Sequence, residues 1–70
     1  YKKILPPFTL VSIDQWGNDL YAVVRSQGQL HELTQGQKVN GWYVDSFDRP
    51  RHAVSFKTKA GTRRELFIKS

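Results

Sequence analysis

Few side chains in this 70-residue sequence are of the types that perform acid–base or metal chemistry. The two histidines, His31 and His52, have no carboxylate or serine at a spacing that forms a known catalytic signature. The His31-Glu32 pair does not extend to the zinc-binding pattern H-E-x-x-H. Both histidines lie in stretches of alternating residue type, where a solvent-facing strand position accounts for them. We expect neither to have a metal-binding or acid–base role.

The acidic residues give no better case for catalysis. Six carboxylates are scattered along the chain, at Asp14, Asp19, Glu32, Asp45, Asp48 and Glu65. A general acid–base pair needs two of them in one cleft, and a domain this small has little volume for a cleft. There is no cysteine for a thiol nucleophile, and the five glycines fall at predicted turns instead of before a phosphate-binding helix. The sequence therefore predicts no enzyme, no cofactor and no bound metal.

The basic residues are distributed unevenly. Residues 1–48 contain four Lys or Arg and five Asp or Glu, 4 − 5 = −1, whereas residues 49–70 contain seven Lys or Arg and one Glu, 7 − 1 = +6. The net charge of +5 therefore comes from the C-terminal part of the chain. Such a segment favours an anionic partner, although solvated strands also carry Lys and Arg for solubility.

One interpretation of the basic segment is a nucleic-acid-binding small β-barrel. Phosphates would be contacted by a basic patch made of Lys57, Lys59, Arg63 and Arg64. Bases would stack on exposed rings, and the candidate rings are Trp16, Tyr21, Tyr43 and Phe67. The sequence does not place these rings on one surface, so nucleic-acid binding is the alternative to a role in protein–protein interaction.

Alternating residue types and recurrent turn signals predict an all-β domain, a small antiparallel β-sandwich or barrel of about six strands. The predicted strands span residues 9–13, 20–25, 30–33, 42–47, 52–58 and 63–68. Residues 34–39 are expected to form an irregular connection, and Gly17-Asn18 and Asn40-Gly41 to form tight turns. Connections this short imply antiparallel neighbours throughout.

The predicted core consists of the apolar side chains that share the inner face of these strands. They are Leu10 or Val11, Ile13, Leu20, Ala22, Val24, Leu30, Leu33, Val39, Trp42, Val44, Val54, Phe56, Leu66 and Ile68. A chain this short buries only about 60% of its unfolded surface. Truncating one core residue to alanine is therefore expected to remove about 2–5 kcal/mol, most of the stability available.

The two ends of the chain suggest a module cut from a larger protein. Residues 1–7 are predicted to be the end of a linker and residues 8–69 a single domain, because Pro6 and Pro7 cannot donate to a strand ladder. The chain starts with Tyr1 and contains no methionine, so we expect a piece of a longer or processed polypeptide. No segment approaches the roughly 18 apolar residues of a membrane span.

The first predicted strand is a candidate binding element. In an open sheet, the first and last strands expose unpaired backbone groups unless something covers them. Residues 9–13 carry no charge and contain no Lys or Pro. A strand this unprotected either pairs within its own domain or pairs with a partner.

A family resemblance supports the second possibility. Residues 8–13, 20–24 and 33–44, followed by a polar turn and a hydrophobic strand, resemble the periplasmic homology domain of PilP-type pilus assembly proteins and GspC-type secretion proteins. The family carries a segment of the form G-x-x-(V/L)-x-G-(aromatic)-x-V. Its positions are occupied here by Gly36, Val39, Gly41, Trp42 and Val44. The likeness covers about Phe8 to Ile68 and is strongest for type IVb or plasmid-type PilP proteins.

The resemblance implies a β-sandwich of two three-stranded antiparallel sheets in the periplasm, tethered to the inner membrane by a preceding segment. It implies a module of a type IV pilus or related secretion apparatus that connects inner-membrane pilus assembly proteins to the N-terminal domain of an outer-membrane secretin. In the family, binding of this kind involves the first strand and its neighbours. The corresponding residues here are Thr9, Leu10, Val11, Ser12 and Ile13.

Overall fold

Short connections between β-prone segments make each strand fold back on the one before it. In the computed structural model, which describes residues 5–68, the chain forms seven strands and one turn of 3-10 helix. The strands are β1 (Thr9–Trp16), β2 (Asp19–Ser26), β3 (Gln29–Leu33), β4 (Lys38–Val39), β5 (Trp42–Asp48), β6 (Ala53–Thr58) and β7 (Arg63–Phe67). The helical turn, Arg49–Arg51, connects β5 to β6.

The strands form two antiparallel sheets, which confirms the predicted all-β sandwich. The first sheet has the order β1-β2-β3 and the second sheet the order β4-β5-β6-β7. The second sheet has one strand more than expected. Lys38 and Val39, predicted to lie in an irregular connection, pair with Tyr43 and Trp42 as the short strand β4.

Two hairpins turn through a pair of residues with positive φ. Gln27 and Gly28, with φ of 52° and 79°, join β2 to β3, and Asn40 and Gly41, with φ of 52° and 80°, join β4 to β5. Both pairs fit a type I′ turn, whose twist matches that of the flanking strands. Asn-Gly is a preferred pair for this turn, whereas an ordinary side chain such as that of Gln27 is strained in the left-handed region.

The core lies between the inner faces of the two sheets. Its buried members are Phe8, Leu10, Ala22, Val24, Leu33, Trp42, Val44, Val54 and Phe56. Phe56 is fully buried in β6, and its ring meets that of Phe8 edge-on at a centroid distance of 5.0 Å. This contact ties the segment before β1 to an inner strand of the second sheet.

Most of the predicted core is confirmed, and five positions refine it. Two of these are Val23 and Ala53, which are buried although they were not predicted to be core. Of the alternatives Leu10 and Val11, Leu10 is buried and Val11 is 38% exposed. The prediction for Leu30 is wrong: this side chain is 59% exposed, because its residue pairs with Arg25 on the outer face of the first sheet. Phe8 is buried although it precedes the first strand. Five predicted members are half-buried, at Ile13, Leu20, Val39, Leu66 and Ile68.

The N-terminal boundary of the packed region lies before Phe8. Of the predicted linker end, residues 1–4 are outside the described range, as are residues 69 and 70. Pro6 is buried, whereas Leu5 and Pro7 are exposed. Pro6 therefore belongs to the packed part of the chain.

The connection that follows β3 is hydrogen-bonded to β5 of the second sheet. The backbone N–H of Gly36 donates to the carbonyl of Val44, and the N–H of Val44 donates to the carbonyl of Gln37, both at 2.9 Å. Asn40 Nδ2 also donates to the buried Oγ of Ser26 at 2.6 Å. On the opposite side no strand ladder joins β1 to β7 within residues 5–68. There, Arg49 Nη1 in the helical turn donates to Oε1 of Gln15 in β1 at 2.8 Å. Each side of the sandwich therefore has a side-chain hydrogen bond that links the first sheet to a segment next to β5.

The strained turn gives a stability prediction. Gln27→Asn is expected to stabilise the domain by about 0.5–1 kcal/mol, because asparagine adopts the left-handed conformation at lower cost. Equilibrium urea unfolding measures the difference. Gln29→Asn, at an exposed position in β3, is the matched control and should be neutral or slightly destabilising. Equal effects of the two substitutions would contradict the assignment of strain to Gln27.

Removal of a ring at two positions tests the placement of the core. Phe56→Ala is expected to cost about 3–5 kcal/mol, because it leaves a cavity between the sheets. Phe67→Ala removes the same atoms from a ring that is 49% exposed, and it should cost less than about 1 kcal/mol. Urea unfolding compares the two variants, and Phe56→Leu should lie between them if Phe56→Ala does not fold. Similar losses for Phe56→Ala and Phe67→Ala would show that the core is placed incorrectly.

Candidate functional site

The predicted partner-binding residues lie in β1, at one edge of the first sheet. Within the described residues, β1 pairs with β2 alone, so one side of its backbone has no strand partner. Thr9 and Val11 are exposed, Ser12 and Ile13 are half-buried, and Leu10 is only 3% exposed because it enters the core. The five residues are contiguous in this strand, but a partner would find the side chain of Leu10 already packed.

A β-bulge interrupts β1 within the predicted segment. The register of the β1–β2 ladder shifts between Leu10 and Ser12, so Val11 has no residue opposite it. A bulge of this kind bends the strand and divides its ladder into two parts. The longer part, Ser12–Trp16, extends three residues beyond the predicted end of the strand and brings Asp14 into it.

The structure does not gather the four predicted basic residues into one patch. Lys57 and Arg63 are cross-strand partners on the outer face of the second sheet. Arg64 is the cross-strand partner of the buried Phe56, so its side chain leaves the backbone on the inner face of the second sheet. Its Nη1 donates to the carbonyl of Arg63 at 2.7 Å. Lys59 lies in the loop after β6.

Two of these cations share an ion pair with one carboxylate of the same sheet. Lys57 Nζ lies 3.4 Å from Oδ1 of Asp45, and Arg63 Nε lies 3.3 Å from Oδ2 of the same residue. Arg51 is similarly paired, with Glu65 at 2.9 Å and Asp48 at 3.4 Å. Folding brings acidic residues from before position 49 against the basic C-terminal segment.

Within residues 5–68, the charge asymmetry follows the division into two sheets. Residues 38–68, which form the second sheet, carry seven Lys or Arg and three Asp or Glu, 7 − 3 = +4. Residues 5–37, which contain the first sheet, carry one Arg and three Asp or Glu, 1 − 3 = −2. The domain has one basic sheet and one acidic sheet.

The candidate stacking rings lie on two opposite faces. Trp16 and Tyr21 are on the outer face of the first sheet, away from the basic residues. Tyr43 and Phe67 are on the outer face of the second sheet. Each of those two rings is approached by a cation of its own chain, Lys38 at 5.6 Å and Arg51 at 5.3 Å from the ring centroid, respectively.

The residues with catalytic potential stay apart. His31 is half-buried in β3 opposite Val24, whereas His52 is exposed after the helical turn, with a φ of 55°. Within residues 5–68, no group of three or more His, Cys, Asp or Glu side chains is arranged to hold a metal ion. Nothing helical in this part of the chain has the length and apolar character needed to cross a bilayer.

Sequence reasoning missed the outer face of the first sheet. Trp16 is 79% exposed and, with Asp14, Tyr21 and Glu32, lines a shallow open depression. The predicted first strand ends at Ile13, so the alternation of side chains along it does not assign Asp14 or Trp16 to either face of a sheet. The available signal was the alternation of Ser12, Asp14 and Trp16, which continues through to the Gly17-Asn18 turn.

Comparison of the chain with protein-family models, with curated proteins and with solved structures gave no match.

Proposed function

We propose that this domain is a non-enzymatic interaction module that binds a partner protein along the edge of β1. Its place would be the periplasm, held near the inner membrane by a preceding segment. It would link inner-membrane pilus assembly proteins to the N-terminal domain of an outer-membrane secretin, in a type IV pilus or related secretion apparatus. The observation that carries the proposal is the unpaired backbone edge of β1.

An edge strand binds an extended segment by continuing the ladder of its sheet. Backbone N–H and C=O groups supply the hydrogen bonds, and the side chains that alternate along the strand supply selectivity. Burial of Leu10 fixes the position of β1 against the core, so little conformational entropy would be lost when a partner pairs with it. The bulge leaves Val11 projecting to solvent as an apolar contact for the partner.

The other edges of the two sheets are less suited to this role. Strand β3, the other edge of the first sheet, also pairs with β2 alone within residues 5–68, but it has five residues against eight in β1 and carries the charged Glu32. Strand β7 pairs with β6 alone within the described part of the chain, but charged side chains occupy three of its five positions, at Arg63, Arg64 and Glu65. Charges on an edge strand oppose strand addition. Strand β1 has one charged residue in eight, Asp14, and it lies beyond the bulge.

The residues that carry the family resemblance have structural roles in this fold. Gly36 and Gly41 adopt φ of 90° and 80°, which favours glycine. Trp42 and Val44 are buried in the core. The motif thus accounts for the path of the chain from β3 to β5. The choice of secretin as partner depends on the resemblance, whereas the choice of β1 also has a physical basis.

A charge placed on the exposed edge tests the binding site. Val11→Lys is expected to weaken binding of the N-terminal fragment of the cognate secretin by about tenfold, because it puts an ammonium group into the pairing edge. Leu30→Lys is the matched control, since it makes the same change at an exposed apolar position of the opposite edge strand, β3. Isothermal titration calorimetry measures both affinities.

Circular dichroism checks that both variants fold, which we expect because neither side chain lies in the core. A larger loss of affinity for Leu30→Lys than for Val11→Lys would move the binding site away from β1.

The nucleic-acid alternative is tested by titrating single-stranded and duplex DNA at several salt concentrations. We expect no micromolar binding, because Lys57 and Arg63 are paired with Asp45 and Arg64 begins on the other face of the sheet. Micromolar binding that weakens steeply with salt and is lost in the double variant Arg63→Ala/Arg64→Ala would overturn the proposed function.

A further inference from the structure

The outer face of the first sheet carries an exposed surface that is both aromatic and acidic. Asp14 is the cross-strand partner of Tyr21, and Trp16 pairs with Asp19 one step further along the same face. Glu32 reaches this face from β3, opposite Val23. The Trp16 surface, defined as Asp14, Trp16, Tyr21 and Glu32, lines one open depression.

The carboxylates of this sheet differ from those of the second sheet in their partners. All three acidic residues of the second sheet form ion pairs, at Asp45, Asp48 and Glu65. None of the ion pairs within residues 5–68 involves an acidic residue of the first sheet, Asp14, Asp19 or Glu32. Asp14 accepts a hydrogen bond from Ser12 Oγ at 3.3 Å. Arg25, the one cation of the first sheet, lies towards the other end of β2, opposite Thr9 and Leu30.

We propose that the Trp16 surface binds a lysine- or arginine-bearing segment of a partner protein. A cation above the face of Trp16 or Tyr21 would gain cation–π attraction. The carboxylates of Asp14 and Glu32 would add Coulombic attraction to the same group. An exposed indole beside carboxylates that form no ion pair within residues 5–68 fits a cationic side chain better than it fits an anion or a purely apolar group.

The charge of the whole domain makes this surface selective. Within residues 5–68, residues 38–68 sum to 7 − 3 = +4, whereas residues 5–37 sum to 1 − 3 = −2. A basic segment would be repelled by the second sheet and attracted to the first, which would steer it to the Trp16 surface. Complementary charge therefore favours a basic polypeptide as its occupant.

This surface goes beyond the proposed edge pairing. The side chains of Asp14 and Trp16 rise from the face of β1, while the backbone groups that would pair with a partner strand lie in the plane of the sheet. Edge pairing requires no particular charge in the partner, whereas the Trp16 surface requires a cation. A partner strand added to β1 would place its outward side chains beside Asp14, so one partner could use both features.

The test is an NMR titration of the isotope-labelled 70-residue chain with two short peptides. The probe is acetyl-Arg-Thr-Arg-Thr-Arg-amide, and acetyl-Glu-Thr-Glu-Thr-Glu-amide is its charge-reversed control. The indole N–H of Trp16 reports on the surface, and that of Trp42, only 4% exposed, is an internal reference. The arginine peptide should shift the Trp16 resonance saturably, and the glutamate peptide should not.

Two double variants assign the effect to the named carboxylates. Asp14→Asn/Glu32→Gln is expected to raise the Kd for the arginine peptide about fivefold, which lies within the range expected for the loss of two exposed ion pairs. Asp48→Asn/Glu65→Gln removes the same charge from the second sheet and should leave the Kd unchanged. Trp16→Ala, at a highly exposed position, should raise the Kd about threefold through loss of the cation–π contact.

Several results would overturn the proposal. They are equal shifts with both peptides, shifts confined to the second sheet, no saturable shift at millimolar peptide, or equal effects of the two double variants. A Trp16 shift that depends on protein concentration without peptide would assign the surface to a second copy of this chain and would also overturn it. None of these results bears on edge pairing at β1. That proposal is tested separately by Val11→Lys, which changes no residue of the Trp16 surface.

Discussion

Packing of two small sheets against each other through one layer of side chains constrains every other property of this domain. Nine buried residues fill the space between the inner faces of the two sheets. Among them, the ring of Phe56 in the second sheet contacts that of Phe8, just before β1. A polar side chain at any of these nine positions would open this layer to water. The connections between strands are too short to build a cleft. Recognition is therefore left to the sheet edges and the outer faces, which is where the exposed apolar side chains of β1 and β3 are found.

Two features of β1 would make pairing at its edge selective for particular partner strands. A flat, uncharged edge strand would pair with any extended chain, including another copy of itself. The bulge at Val11 breaks the ladder, and Asp14 adds a charge beyond the bulge. Native proteins use both devices to limit unwanted edge pairing. An appropriate partner would have to match the bend and accommodate the carboxylate, so the devices that limit self-association also narrow the choice of partner.

The fold was largely predictable because its signals are local. Turn residues such as Asn40-Gly41 and the alternation along β2 and β5 predict hairpins, and hairpins this short allow only antiparallel neighbours. Pairing across long separations was not predictable. The sequence does not predict that Asp45 forms ion pairs with both Lys57 and Arg63. Asp45 lies at the β-bulge in β5, and this bulge has no sequence signature. Burial of Phe8 and exposure of Leu30 likewise depend on the sheet register, which alternation within a single strand does not determine.

The edge of β1 as a pairing site is tested most directly by amide hydrogen exchange of the domain with and without the N-terminal fragment of the secretin proposed as its partner. In the free domain, the β1 amides that point away from β2 should exchange fast, because no strand of residues 5–68 pairs with that side of β1. Pairing at β1 predicts that the fragment slows exchange of these amides by at least about tenfold, which corresponds to roughly 1.4 kcal/mol, while the amides of β3 are unaffected. Protection confined to β3 or to the second sheet, or binding that leaves the β1 amides unprotected, would contradict it.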